Sequence, residues 1–273
     1  SVLCVVEQTI APKKIEVGIL SREYSKFSDW QDSNDLGAYE LMAERETSEW
    51  ELSGVVVCAS EFVVDGLVEC GVDRNKCHIV PYAINPEKFV YKERNFQSNR
   101  PIRILFAGEV GIRKGIHYLY YALLSLQKEL FECKAVGNVA LKHDAVFKLS
   151  SLVNLEGQLP KSEMLNIFEW ADVFVLPTLC EGSATVTYEA MACGLPVITT
   201  HNCGSVVKHD VNGFIIPVCD SIALLNILTK IIEEPNILNS YSKNLKNWSQ
   251  EYSWSKYALR LSQMLESRYN NVC

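Results

Sequence analysis

Pro101-Ile102-Arg103-Ile104-Leu105-Phe106-Ala107 runs directly into Gly108-Glu109-Val110-Gly111-Ile112-Arg113-Lys114-Gly115. The first part is a short apolar run, which predicts a strand over Ile102 to Ala107 that is buried on both faces. The second part places two glycines and two adjacent cations ahead of an apolar helical pattern, Gly115 to Lys128. Downstream the rhythm repeats. Strands are predicted at Glu132 to Val136, Leu152 to Glu156, Val173 to Leu176, Pro196 to Thr199 and Phe214 to Pro217, with helices at Lys161 to Trp170, Thr185 to Cys193 and Ser221 to Glu233. Six short strands alternating with helices predict an α/β fold with a complete doubly wound parallel sheet over residues 102–252.

Upstream the pattern is shorter. Strands at Val2 to Val6, Gly54 to Ser60 and Cys77 to Val80, with helical stretches at Lys13 to Phe27, Leu36 to Leu52 and Glu61 to Cys70, predict a second Rossmann-like domain over residues 1–91. Three strands make only part of such a domain, and the chain starts within an apparent strand, so the N-terminal domain is expected to be incomplete. Ser60 is a predicted N-cap. Residues 92–101 are polar and read as a linker. Helices at Ile237 to Glu251 and Ser255 to Tyr269 close the chain.

Composition narrows the function. The 273 residues are 48% apolar and 22% charged, which suits two globular domains and excludes a disordered or fibrous chain. Lys+Arg 26 against Asp+Glu 33 gives a net charge of −7, which argues against a nucleic-acid binder. The apolar stretch Ile116 to Leu126 is far short of the roughly 20 residues that span a bilayer. Ten cysteines are scattered without a C-x-x-C pair, so reduced thiols in a cytoplasmic protein are expected and a zinc site is not.

In doubly wound folds ligands bind beyond the carboxyl ends of the strands. Three loops there carry chemistry. Gly108 to Gly115 offers close backbone approach and a cation pair at a helix start, which suits a diphosphate; a plain β–α turn with a solvated basic pair is the alternative. Neither the Walker pattern nor G-x-G-x-x-G is present, which disfavours a dinucleotide dehydrogenase. In Glu181-Gly182-Ser183-Ala184-Thr185-Val186-Thr187-Tyr188-Glu189 the two glutamates lie eight residues apart. On one helix they would point about 80° apart, so Glu181 is placed in the loop and Glu189 in the early helix, facing one cleft. Gly182, Ser183, Ala184 and Thr185 then expose backbone N–H groups to a phosphate. In the third loop, Thr199 to Val207, His201 is a ligand or a polar loop residue.

The segment Pro177-Thr178-Leu179-Cys180-Glu181 to Pro196 resembles the E-x7-E block of the retaining nucleotide-sugar glycosyltransferases of family 4, whose two Rossmann-like domains face a cleft in the GT-B fold. Gly108 to Gly115 resembles the family's diphosphate loop. Ala59-Ser60-Glu61-Phe62 and Val80 to Phe89 resemble the segments that finish its first domain. The resemblance implies transfer of a hexose from a nucleoside-diphosphate sugar, the donor substrate, to a glycan, lipid or small-molecule acceptor, with retention and with no metal or other cofactor. Glu181, Lys114 and Arg113 take the catalytic roles it implies, Glu181 on the sugar hydroxyls and the two cations on the leaving diphosphate. Glu189 binds the ribose, Leu159 packs on the base, and Gly108 with Gly182, Ser183, Ala184 and Thr185 completes the donor site. Residues 253–273 resemble the helix that returns to the first domain. The implied location is cytoplasmic, with peripheral contact at the inner face of a membrane as one option.

The chain departs from the family pattern where Glu109 replaces an arginine and where Glu7-Gln8-Thr9, not a histidine, follows the first strand. The family's N-terminal Gly-rich loop is expected upstream of Ser1, so this chain is expected to bind a nucleotide without transferring sugar. A sugar-nucleotide epimerase of the same architecture, or a non-catalytic nucleotide-sugar-binding fragment, is the competing reading.

Overall fold

A computed structural model describes residues 2–32, 37–96 and 99–272. Val-Val-Val-Cys at Val55–Cys58 (β2) has every side chain buried, so it forms the centre of a sheet. Parallel neighbours flank it: Val5–Gln8 (β1), in register Val5 to Val55, and Cys77–Ile79 (β3), in register Val56 to Cys77. The order β1-β2-β3 is that of a three-stranded parallel sheet. Helices Lys13–Lys26 (α1), Gly37–Leu52 (α2) and Glu61–Glu69 (α3) connect the strands. Ser60 is the N-cap of α3, accepting from Val63 N–H at 3.4 Å. The first strand lies three residues later than the apolar run at Val2 suggests, because Gln8 is buried and belongs to the pairing while Val2 is 96% exposed.

The second sheet has six parallel strands: Ile102–Ala107 (β4), Phe131–Val136 (β5), Asn154–Gly157 (β6), Val173–Leu176 (β7), Val197–Thr200 (β8) and Gly213–Ile216 (β9). Their order, β6-β5-β4-β7-β8-β9, reverses direction between β4 and β7. That is the doubly wound arrangement, whose ligand crevice opens beyond the carboxyl ends of those two strands. The connecting helices are Ile116–Leu123 (α4), His143–Ser150 (α5), Met164–Trp170 (α6), Thr185–Ala192 (α7) and Ser221–Glu233 (α8), followed by Asn236–Asn244 (α9) and Trp248–Glu251 (α10). One large core fills both faces of this sheet, with Ile104, Leu105, Phe106, Phe174 and Leu176 fully buried.

Helix α5 does not appear in the sequence pattern, because only Ala145 and Leu149 turn inward while Phe147 stays 79% exposed. The helix predicted over Ile237 to Glu251 is broken at Asn247, whose φ of +65° interrupts helical geometry between α9 and α10. Helix α4 stops at Leu123, short of the predicted Lys128.

The final helix, Trp254–Val272 (α11), sets Tyr257, Leu261 and Met264 against Val55 and Val57 of β2 and Val80 just beyond β3. The predicted start of α2 at Leu36 lies outside the described residues. The stretch read as a linker packs closely on the second domain. Phe96 is buried in its core, and the Arg94 guanidinium donates to the carbonyls of Phe168, Ala171 and Cys193, covering the ends of α6 and α7.

Candidate functional site

The loop after β4 and the loop after β7 meet at the reversal of strand order. Gly115, at φ +75°, comes so close to the second loop that a Cβ there would sit 2.0 Å from the Pro177 carbonyl oxygen. The Arg113 carbonyl accepts from Leu179 N–H at 2.9 Å and from the Thr178 hydroxyl at 3.0 Å. The third loop supports the second: the Thr200 hydroxyl donates to Thr178 O at 2.6 Å, the Asn202 amide to Leu179 O at 2.8 Å, and Glu181 N–H to Asn202 O at 3.0 Å. His201 is half exposed and lies 3.3 Å from Asp65 on α3, so it is a polar loop residue that touches the first domain.

Glu181 lies in the loop and Glu189 in the fifth position of α7, as the eight-residue spacing suggests. The Glu181 carboxylate pairs with Arg113 and, at 2.5 Å, with Lys114, and all three side chains are largely buried. Burial works against the Arg113 charge, but Glu181, Glu109 and Glu16 outweigh it and hold the guanidinium pKa above its ordinary value.

Beside this cluster opens a cavity of about 460 Å³, lined by Gly108, Leu159 and Glu189 of the predicted donor residues. Gly137, Lys88, Lys161 and Met164 also line it. Sequence reading misses these four; the signal for Gly137 is a glycine directly after a strand. Gly108 joins the two regions, because a Cβ on it would lie 3.6 Å from Lys114 Cε.

The three residues after Glu181 are held by backbone packing. Gly182 approaches the first domain so closely that a Cβ would lie 1.9 Å from Thr9 O, and its carbonyl accepts from the Ser60 hydroxyl at 2.5 Å. The Ser183 hydroxyl donates to Gly204 O at 2.7 Å and pairs with Tyr188, so its side chain is committed within the protein. Ala184 N-caps α7 without a side-chain bond, and its N–H donates to the Cys203 carbonyl at 3.1 Å, so it is not free for a phosphate as the sequence suggests; exposed Thr185 then opens the helix.

Burial raises the Glu189 carboxyl pKa above its ordinary 4.5, with Lys88 and Lys161 partly opposing. An acid whose folded-state pKa is raised lowers stability above that pKa, and the loss disappears as pH falls below the unfolded value. Thermal denaturation should therefore show Glu189→Gln melting higher than the parent near pH 7.5 and no higher near pH 4. An equal gain at both would mean that ionisation is not its origin.

Among the described residues, no cluster of three or more His, Cys, Asp or Glu is placed to hold a metal ion, and no helix is long and apolar enough to cross a membrane. The nine described cysteines are unbonded, and burial pushes the Cys180 and Cys203 thiols up to about 12.

Two parallel sheets, the second with a crevice at its order reversal, have the arrangement of the GT-B fold. Solved structures share it. Sucrose-phosphate synthase from Thermosynechococcus elongatus aligns with TM-score 0.71 at 21% identity, covering 98% of this chain and 68% of that one. HepE from Anabaena, solved in complex with UDP, aligns with TM-score 0.70 at 16% identity, covering 96% and 78%. Residues 87–248 match the family described as glycosyl transferases group 1, and the chain belongs to that family. The amylovoran biosynthesis glycosyltransferase AmsK of Erwinia amylovora is 29% identical over 212 residues, 70% of this chain and 52% of AmsK. A UDP-Gal:alpha-D-GlcNAc-diphosphoundecaprenol alpha-1,3-galactosyltransferase of Escherichia coli is 33% identical over 118 residues, 41% of this chain and 30% of that enzyme. The chain thus spans about half the length, or less, of these curated relatives.

Proposed function

We propose that this chain carries the donor half of a retaining glycosyltransferase, which moves a hexose from a nucleoside-diphosphate sugar to a glycan or lipid-linked acceptor on the cytoplasmic side of a membrane. The observation that carries this reading is the junction at Gly108, where the cavity lined by Glu189 and Leu159 meets the Lys114, Arg113 and Glu181 cluster. A nucleoside fits the cavity, with its ribose on Glu189, and its diphosphate then falls beside the two cations.

Departure of the nucleoside diphosphate builds negative charge on its phosphate. Lys114, Arg113 and the opening of α7 at Thr185 are fixed in place before reaction, so they stabilise the developing charge more than the ground state. Glu181 holds both cations and faces the point where the sugar would begin. Glycosyltransferase relatives and the UDP-bound HepE neighbour support the donor class.

Thermal-shift measurements on this chain with UDP, GDP, dTDP and their sugars test the reading. One series should raise the melting point with concentration, by about 2.7 kcal/mol of stability at a hundred times Kd. No shift with any of them would sink it.

The two glutamates should separate. Glu189→Gln should weaken nucleoside diphosphate and nucleotide-sugar alike, roughly tenfold, since both carry the ribose. Glu181→Gln should leave diphosphate binding intact or tighter, because it releases Lys114 and Arg113, while removing any added affinity from the sugar. Calorimetry decides between them; loss of diphosphate binding in Glu181→Gln would reverse the assignment.

A further inference from the structure

Glu23 of α1 lies where the first domain meets the second, with its side chain 8% exposed. Its Oε1 accepts from His117 Nε2 at 3.0 Å and from the Tyr118 hydroxyl, and the Cys219 thiol approaches Oε2 at 3.8 Å. All three partners belong to the second domain. His117 and Tyr118 form the first turn of α4, and Cys219 sits in the turn before α8 with φ +61°.

His117 is fully buried, and among the described residues its Nδ1 has no hydrogen-bond partner. Burial holds its pKa below the ordinary value, so the ring is neutral at pH 7; with Nε2–H given to Glu23, Nδ1 is a lone pair facing no donor. A buried carboxylate beside a half-satisfied imidazole is often no more stable than apolar packing of the same volume, so stability alone does not account for the network.

Its position does. Residues 111–115, directly before α4, carry Arg113 and Lys114. The Oε1 of Gln31, just beyond α1, accepts from Ile112 N–H at 2.8 Å, and Leu20, Tyr24, Phe27 and Trp30 pack with Ile112, Tyr118 and Leu179. The first domain therefore grips the cation loop at both ends, at Ile112 through Gln31 and at the first turn of α4 through Glu23.

We propose that Glu23 is a positioning residue for the donor site: through His117 and Tyr118 it fixes the first turn of α4 and so sets the Arg113–Lys114 loop where a diphosphate binds. The inference rests on the donor-site reading above. Two measurements test it, calorimetric binding of UDP against uridine, with GDP and dTDP pairs in reserve, and backbone amide exchange of the ligand-free chain.

Glu23→Gln should weaken UDP about tenfold and uridine less than twofold, and should speed exchange at 111–119 at least tenfold while residues 173–200 are unchanged. Tyr118→Phe, which removes one donor and keeps the packing, should shift both in the same direction by about threefold. Leu67→Ala, which opens apolar space in the first domain's own core away from this contact, should lower the melting point without changing the UDP-to-uridine ratio.

The inference fails if Glu23→Gln behaves like Leu67→Ala, or if exchange at 111–119 does not change. Should the parent chain bind none of the three diphosphates, the donor-site reading falls by itself, and the exchange measurement alone decides whether Glu23 sets the loop.

Discussion

Lys114→Ala should weaken nucleoside diphosphate binding about ten- to a hundredfold while leaving the bare nucleoside within twofold. Lys114 is 9% exposed, its stem lies beside Gly108, and its ammonium is 2.5 Å from Glu181. A charge-assisted contact in such a setting is worth roughly 1.5–3 kcal/mol, which gives that range of affinities. The nucleoside has no phosphate, and its cavity at Leu159 and Glu189 lies on the far side of Gly108. Glu181 keeps Arg113 as a partner in the variant, so the fold should survive. Lys114→Arg keeps the charge and should recover part of the loss. Calorimetry with UDP and GDP against uridine and guanosine is the check; an equal loss for nucleoside and diphosphate would remove Lys114 from the phosphate role.

Gly137→Ala should destabilise the fold more than Lys114→Ala. Its φ is +143°, and a Cβ would lie 1.8 Å from the Gly108 carbonyl oxygen and 2.7 Å from its carbon. Both are backbone atoms, held by Gly108 N–H to Val136 O at 2.9 Å and Gly137 N–H to Gly157 O at 2.8 Å, so no side chain can rotate away. Backbone strain and overlap together should cost about 3–5 kcal/mol. For a domain of this size that lowers the melting point by roughly 10 °C. Gly71 supplies the control, with φ +94° and nothing within 4 Å of the place a Cβ would take. Gly71→Ala should lose only the strain, about 1–2 kcal/mol. If the two variants melt together, the close approach of β5 to the Gly108 loop is wrong.

The central strands of the second domain are legible because a parallel strand buried on both faces is a continuous apolar run, and Ile104 to Ala107 and Val173 to Leu176 are that. Helix α5 is not, since two inward residues in eight leave no period to detect. The strand at the start of the chain is displaced from its apolar run for a related reason: buried Gln8 is polar because it accepts from the Trp50 indole at 2.9 Å, and such a partnership is invisible in a hydropathy pattern.

At the proposed site, the cation pair and the two glutamates are readable as residue types because the proposed chemistry calls for them. Residues serving through backbone geometry or distant contact are not. Gly137 meets a neighbour 29 positions away in sequence, and Glu23 meets partners 94 and 95 positions away, contacts that no local pattern shows.

The most direct measurement is a structure of this chain with a bound nucleoside diphosphate. The ribose should lie on Glu189, the base against Leu159, and the diphosphate within hydrogen-bond distance of Lys114 and Arg113 beside Gly108. A nucleotide seated elsewhere, such as the groove lined by Phe96, Arg100 and Leu238, with Lys114 still bound only to Glu181, would contradict the assignment of this crevice as the donor site.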